Sequence, residues 1–115
     1  MDVTTRTFER DVIERSHEVP VVVDFWAEWC GPCRLLAPAI ESEVAKREGK
    51  VELAKIDIDA EPELAARYGV QSIPTVAAFV DGEPVVGFIG AQPSAAIGRF
   101  LDDVAAKHSH VADAA

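Results

Sequence analysis

The only two cysteines of the chain stand three residues apart, in the segment Cys30-Gly31-Pro32-Cys33. Two thiols at this spacing on a helix lie about one turn apart on the same face, where they can form and open a short disulfide ring. The nucleophile in such chemistry is the thiolate. A helix N-terminus favours a thiolate because its unpaired N–H groups and partial positive charge face the sulfur. We therefore predict a redox-active dithiol with Cys30 at the start of a helix.

A cysteine pair of this kind can also hold zinc or form a purely structural disulfide. A structural zinc ion takes four ligands, but the sequence has no second cysteine pair, and its histidines (His17, His108 and His110) are distant in sequence. A structural disulfide is disfavoured because so small a loop removes little entropy from the unfolded chain. A CxxC segment beside a βαβ pattern favours redox chemistry, so we expect no metal site.

The elements on either side of the cysteines must be a strand and a helix. Residues 21–26 are β-branched or aromatic apart from Asp24, as is typical of a strand. Apolar residues on both alternating faces predict a central strand that is covered on both sides. From Pro32 to Glu48 the apolar residues recur at helical spacing, and Gly49 follows as an end signal. The cysteines are thus predicted at the junction of a central strand and a helix.

The rest of the chain alternates between strand and helix patterns, which predicts an α/β fold. The further elements are a weak strand over 2–5, a short helix over 8–13, a strand over 51–58, a helix over 62–69, strands over 75–80 and 85–89 joined by an Asp81-Gly82 turn, and a helix from Pro93. This order predicts a mixed sheet with helices on both sides. Residues 107–115 are predicted to be a flexible tail.

Composition excludes several classes of function. The net charge of −9 and the pI near 4.6 argue against nucleic-acid binding, which usually needs a basic patch. No apolar run is long enough to span a bilayer, and the N-terminus, MDVTTRTFER, is unlike a signal peptide. We therefore expect a cytoplasmic protein with neither nucleic-acid nor membrane partners. Its 115 residues fit a single domain.

Asp24 and Lys55 are charged residues inside apolar strand patterns. Burial of a carboxylate is costly, so Asp24 should tend to hold a proton and can accept one from Cys33 through water. The alternative is an exposed acid at a strand end. Lys55, in the neighbouring predicted strand, can pair with Asp24 and moderate its pKa, or it can extend its ammonium into solvent.

Four segments resemble the thioredoxin family: VVVDFWAEWCGPCRLLAP at 21–38, AKIDID at 54–59, YGVQSIPT at 68–75 and GA at 90–91. The WCGPC core is a highly specific motif, and the resemblance extends from about Phe8 to Val104. It implies a thioredoxin fold, with a mixed central sheet of about five strands and about four flanking helices. It also implies one thioredoxin domain over residues 1–106.

The resemblance further implies a protein disulfide reductase in which Cys30 is the nucleophile and Cys33 the resolving thiol. Asp24 would accept the Cys33 proton, with Lys55 beside it, and Pro74 would follow a cis peptide bond. A docking patch for substrate would surround Cys30; it comprises Trp29, Gly31, Pro32, Ile73, Pro74, Gly90 and Ala91. The implied partners are disulfide-containing proteins and a thioredoxin reductase that passes on electrons from NADPH. No cofactor beyond the cysteine pair is implied, and we expect a monomer.

A second hypothesis is a binding function. The segments VVGFIGAQPSAAIGRFLDDV and PELAARYGVQSIPT resemble the N-terminal thioredoxin domain of bacterial co-chaperones that continue into tetratricopeptide-type repeats. Such a domain would hold unfolding client proteins. In some of those proteins the CxxC motif is degenerate, whereas here it is intact, and the intact motif favours the reductase.

Overall fold

The structure, a computed structural model, describes residues 1–114, with side chains as far as residue 108. A π-helical segment (Glu9–Glu14) and a 3-10 turn (Arg15–His17) precede the first strand. The elements that follow are β1 (Val21–Trp26), α1 (Gly31–Lys46), β2 (Glu52–Asp57), α2 (Pro62–Arg67), β3 (Thr75–Val80), β4 (Glu83–Ile89) and α3 (Ser94–Ala114).

β1 is a central strand of a four-stranded mixed sheet with the order β2-β1-β3-β4. It pairs in parallel with β2 and antiparallel with β3, and β4 is the antiparallel partner of β3. The first five residues of β1 are fully buried. The predicted α/β class and the strand covered on both faces are therefore confirmed.

Each face of β1 packs on its own apolar cluster, because successive side chains of a strand point to opposite faces. Val23 and Phe25 belong to a cluster on one face, together with Phe8 from the N-terminal segment. Val22 belongs to a cluster on the other face that is built largely from α1 and α3. By this alternation Asp24 shares the face of Val22 and lies toward α1.

The sheet has four strands where about five were expected, since residues 2–5 do not form a strand. Only one isolated bridge joins Asp2 to Lys55 of β2. Two backbone hydrogen bonds hold this bridge, and the Thr4 N–H then donates to the Thr7 hydroxyl instead of to β2. The chain therefore turns away from the sheet edge before a ladder can form. The short helix expected over 8–13 is present as the π-helical segment, and together with α1, α2 and α3 it accounts for the expected helices within residues 1–114.

The element ends differ from the prediction by one or two residues. α1 ends at Lys46 rather than Glu48, because Glu48 and Gly49 adopt positive φ values of 46° and 85° and cannot continue a helix. β2 is shorter than predicted by one residue at each end, and β4 begins at Glu83. The Asp81-Gly82 turn is confirmed, with positive φ at both residues as a tight hairpin requires.

α3 continues as a helix to Ala114, through most of the predicted tail, and Ala115 lies outside the described residues. The flexibility of this tail and the domain boundary at residue 106 stay predictions. Within residues 1–114, no helix combines the length and the apolar character that crossing a membrane would require.

Candidate active site

The cysteine pair lies where β1 gives way to α1, as predicted. Cys30 is the N-cap residue of α1, and its Sγ accepts a hydrogen bond from the Cys33 N–H at 3.2 Å. The two residues form a disulfide, with their Cα atoms 5.3 Å apart. Pro32 occupies the first turn of the helix, where its missing N–H leaves no unmet bond. The positive end of the helix therefore faces Cys30 Sγ and would stabilise its thiolate after reduction.

A second segment, from Ile73 to Pro74, approaches the disulfide from the start of β3. The Ile73–Pro74 peptide bond is cis, as the family resemblance implied. The carbonyl oxygen of Ile73 is 3.8 Å from Cys30 Sγ. Gly90, just after β4, donates its N–H to the Pro74 carbonyl at 2.8 Å and has a φ of +89°, which favours glycine. This bond brings the Gly90 loop to the same side of the molecule as the cysteines.

The predicted docking patch is partly exposed. Its exposed members are Trp29, Gly31, Pro32 and Ala91; Ile73 and Gly90 are half-buried, and Pro74 is buried. The Trp29 side chain is the largest of these, at 66% exposure, and its indole N–H donates to Asp59 at 2.8 Å. A large aromatic group fixed beside Cys30 yet open to solvent is suited to contact a protein substrate.

Asp24 is completely buried behind the disulfide, so the alternative of an exposed acid at a strand end is wrong. With Cys33 and Lys55 it lines a cavity of about 90 Å³. Neither carboxylate oxygen has a hydrogen-bond partner among the residues that the structure describes. Burial raises the pKa of Asp24 to about 6, against an opposing effect of the Lys55 ammonium. The cavity has room for water between the carboxyl and Cys33.

Lys55 contacts a different acid from the one that the sequence suggested. It is the register partner of Asp24 on β2 and affects the pKa of that residue electrostatically. Its ammonium, however, is 3.4 Å from the Glu41 carboxylate and 5.3 Å from the centre of the Trp26 ring. The Lys55 side chain is 22% exposed, so it is neither fully solvated nor fully buried.

Sequence reasoning missed two residues of this site, Glu41 and Asp59. Glu41 stands eight residues after Cys33 on α1, a spacing that places both on one helix face, so the sequence did contain a signal for it. Asp59 follows β2 in a loop, and nothing in the sequence indicated its bond to Trp29. Glu28, Asp57 and Arg34 lie in the same hollow of the surface as Trp29 and Asp59.

The arrangement has the parts that thiol–disulfide exchange needs. A nucleophilic sulfur at a helix N-terminus is bonded to a second sulfur, and a buried carboxyl whose pKa is raised to about 6 shares a cavity with the second cysteine. Exchange proceeds by thiolate attack on a disulfide sulfur through a mixed disulfide. The site therefore supports a dithiol that cycles between reduced and oxidised forms.

Comparisons with known proteins agree with this chemistry. The family model described as Thioredoxin matches residues 1–103. A thioredoxin of Streptomyces clavuligerus is 50% identical over 98 residues, which are 85% of this chain and 89% of that protein. A thioredoxin of Mycobacterium bovis is 46% identical over 102 residues, or 89% and 86% of the two chains. A bifunctional thioredoxin reductase/thioredoxin of Mycobacterium leprae is 43% identical over 104 residues, which are 90% of this chain and 22% of that protein.

Proposed function

This chain belongs to the thioredoxin family and is a protein disulfide reductase, and we propose that Cys30 is its nucleophile and Cys33 its resolving thiol. The observation that carries the assignment is the position of Cys30 Sγ, which caps α1 and accepts the Cys33 N–H. That hydrogen bond and the helix end both favour a thiolate at Cys30. Cys33 lies inside the helix, with its sulfur already bonded to Cys30.

The reaction begins with the reduced pair. The Cys30 thiolate attacks one sulfur of a substrate disulfide, and the other substrate sulfur leaves as a thiolate and takes up a proton. The Cys33 thiol then passes its proton through cavity water to the Asp24 carboxylate, and the new thiolate attacks Cys30 Sγ. The second substrate thiolate leaves and is protonated, and the Cys30–Cys33 disulfide remains. Two electrons have passed from the cysteine pair to the substrate.

The docking patch would hold the substrate during these steps. An extended substrate segment would lie across Ile73 and Pro74, in the manner of strand addition, with Trp29 and the Gly90 loop on either side of it. The half-buried or exposed position of most of these residues and the proximity of the Ile73 carbonyl to Cys30 Sγ support this placement.

A thioredoxin reductase would return the pair to its dithiol form with electrons from NADPH. The relative from Mycobacterium leprae is named as a reductase and a thioredoxin in one chain, which supports such a partner. The protein would then need no bound cofactor beyond its cysteines. A pair that must be reduced again after each turnover suits the cytoplasm, where thiols are kept reduced, and the chain would act there as a monomer. The relatives and the family model that match this chain give the co-chaperone hypothesis no support.

The order of attack can be tested with two serine variants. Cys33→Ser should accumulate a covalent mixed disulfide with insulin or another oxidised protein, because nothing resolves the bond at Cys30. Cys30→Ser should accumulate none and should not reduce the substrate. Non-reducing electrophoresis and intact-mass analysis distinguish these results. Mixed disulfides that accumulate equally in both variants, or turnover that both variants retain, would contradict the assigned roles.

A further inference from the structure

Lys55 has two acids close to it and contacts the outer one. Asp24 and Lys55 are register partners on the parallel strands β1 and β2, so their side chains project from the same face of the sheet. The Lys55 ammonium nevertheless lies 3.4 Å from Oε2 of Glu41. Within the described part of the chain, both Asp24 oxygens are without a hydrogen-bond partner. The buried Asp24 carboxyl therefore forms no ion pair with the neighbouring Lys55 ammonium.

The position of Glu41 on α1 explains this contact. Cys33, Ala37 and Glu41 follow one another at intervals of four residues and form a single row along the helix. Cys33 and Ala37 line the cavity that also contains Asp24 and Lys55. Glu41 continues the row by one turn to the outside, where its side chain is 53% exposed. It thus meets the lysine at the solvent end of the cavity.

The charged and titratable groups around the Asp24 carboxyl come from two other elements: Lys55 on β2, and Cys33, Arg34 and Glu41 on α1. On the opposite side, β3 contributes the apolar Val76 as register partner. The Arg34 guanidinium is occupied, since it donates to the Glu28 carbonyl at 2.6 and 3.1 Å. Asp2 is the bridge partner of Lys55 at the edge of β2 that faces away from β1. Lys55 is therefore the cation whose placement controls the charge near Asp24.

We propose that Glu41 is a positioning residue of the exchange reaction: it holds the Lys55 ammonium at the outer end of the cavity and so keeps Asp24 without a direct counter-ion. The proposal rests on the role of Asp24 given under the proposed function. In the mixed disulfide, the Cys33 thiol gives its proton to the Asp24 carboxylate, and the Cys33 thiolate displaces the substrate sulfur from Cys30. A carboxylate without a paired cation is the stronger base for this step, because an adjacent ammonium favours its charged form.

The direct test is a titration of the Asp24 carboxyl carbon by NMR in the oxidised protein. In Glu41→Gln, Lys55 is free to turn to Asp24, and the Asp24 pKa should fall by about 0.5 to 1 unit. In a Lys55→Met background the same Glu41→Gln change should lower it by less than half as much, since only the direct charge effect remains. Glu48→Gln, which removes an exposed acid just beyond α1, is the matched control and should leave the titration unchanged.

An equal fall with and without Lys55, or no fall in Glu41→Gln, would overturn the proposal. The pH dependence of insulin reduction provides a second readout: its acidic limb should move to lower pH in Glu41→Gln by the same amount as the NMR titration. Asp24→Asn tests the proton-accepting role of Asp24 separately from the positioning of Lys55 by Glu41. If that variant keeps the wild-type pH profile, the role of Asp24 fails, while the NMR titrations still decide whether Glu41 positions Lys55.

Discussion

Two acids buried in this protein have opposite surroundings. Glu43, on α1, accepts hydrogen bonds from Lys46 and Arg47, and these cations hold its pKa below the ordinary value. Asp24, on β1, has no hydrogen-bond partner in the part of the chain that the structure describes, and burial raises its pKa to about 6. One acid is neutralised by its neighbours, whereas the other is left to bind or release a proton.

The difference reflects what each region does. Arg47 also bonds to Asp102 and to the Gly98 carbonyl of α3, so the Glu43 cluster joins two helices. A side chain at position 98 would crowd this cluster, because a Cβ there would lie 3.0 Å from Arg47. Asp24 makes no such hydrogen bonds to other described residues and lies instead behind the reacting sulfurs. The buried charge of Glu43, which is paired with cations, thus stabilises the fold. The unpaired buried carboxyl of Asp24 lowers stability but can accept a proton during thiol–disulfide exchange.

The largest expected effect is that of Asp24→Asn on stability. Between pH 3.8 and about 6 the folded protein holds a proton on Asp24 that the unfolded chain has released. The free energy of unfolding therefore falls as the pH rises through this interval. The raised pKa corresponds to about 3 kcal/mol once the pH is above both values. Urea denaturation of Asp24→Asn should show a gain of that size at pH 8 and none near pH 3.5.

The same variant should reduce insulin about tenfold more slowly or worse at pH 7, since it has lost a proton acceptor. Asp103→Asn, an exposed acid on α3, is the matched control and should change neither stability nor turnover. A gain in stability that is equal at both pH values would mean that the ionisation of Asp24 is not its cause.

Glu43→Gln should have a smaller effect and the opposite sign. It leaves Lys46 and part of Arg47 without a partner, so the melting temperature at pH 7 should fall by roughly 3 to 6 °C. Because the pKa of Glu43 is lowered in the fold, its contribution is present above pH 4.5 and is lost as the pH falls through the folded value. Differential scanning calorimetry at pH 7 and pH 3 should show this loss. A fall in turnover as large as that of Asp24→Asn would erase the distinction between the two acids.

Local sequence was sufficient to predict the core of the site. The apolar run of β1, the Gly-Pro turn and the helical spacing after it each have a local physical cause, so the position of Cys30 and Cys33 followed directly. An acid within a strand that is apolar on both faces is buried together with its neighbours, and Asp24 is buried as expected. The cis bond before Pro74 was known only through the family resemblance, because X–Pro bonds are mostly trans.

The features that local sequence could not supply depend on how elements meet. Whether Lys55 contacts Asp24 or Glu41 depends on how α1 packs against β2. The residue pattern of a strand carries no information about that packing. The bond from Trp29 to Asp59 likewise joins two loops that are distant in sequence. The predicted strand over residues 2–5 was wrong because a local bond between Thr4 and Thr7 competes with pairing to β2.

The central claim is that the Cys30–Cys33 pair reduces protein disulfides and is itself reduced again. The most direct measurement is insulin reduction coupled to NADPH oxidation through a thioredoxin reductase. The account predicts sustained turnover by the wild-type protein and none by Cys30→Ser, with both proteins equally folded by circular dichroism. Equal turnover by Cys30→Ser, or none by a folded wild-type protein, would contradict it.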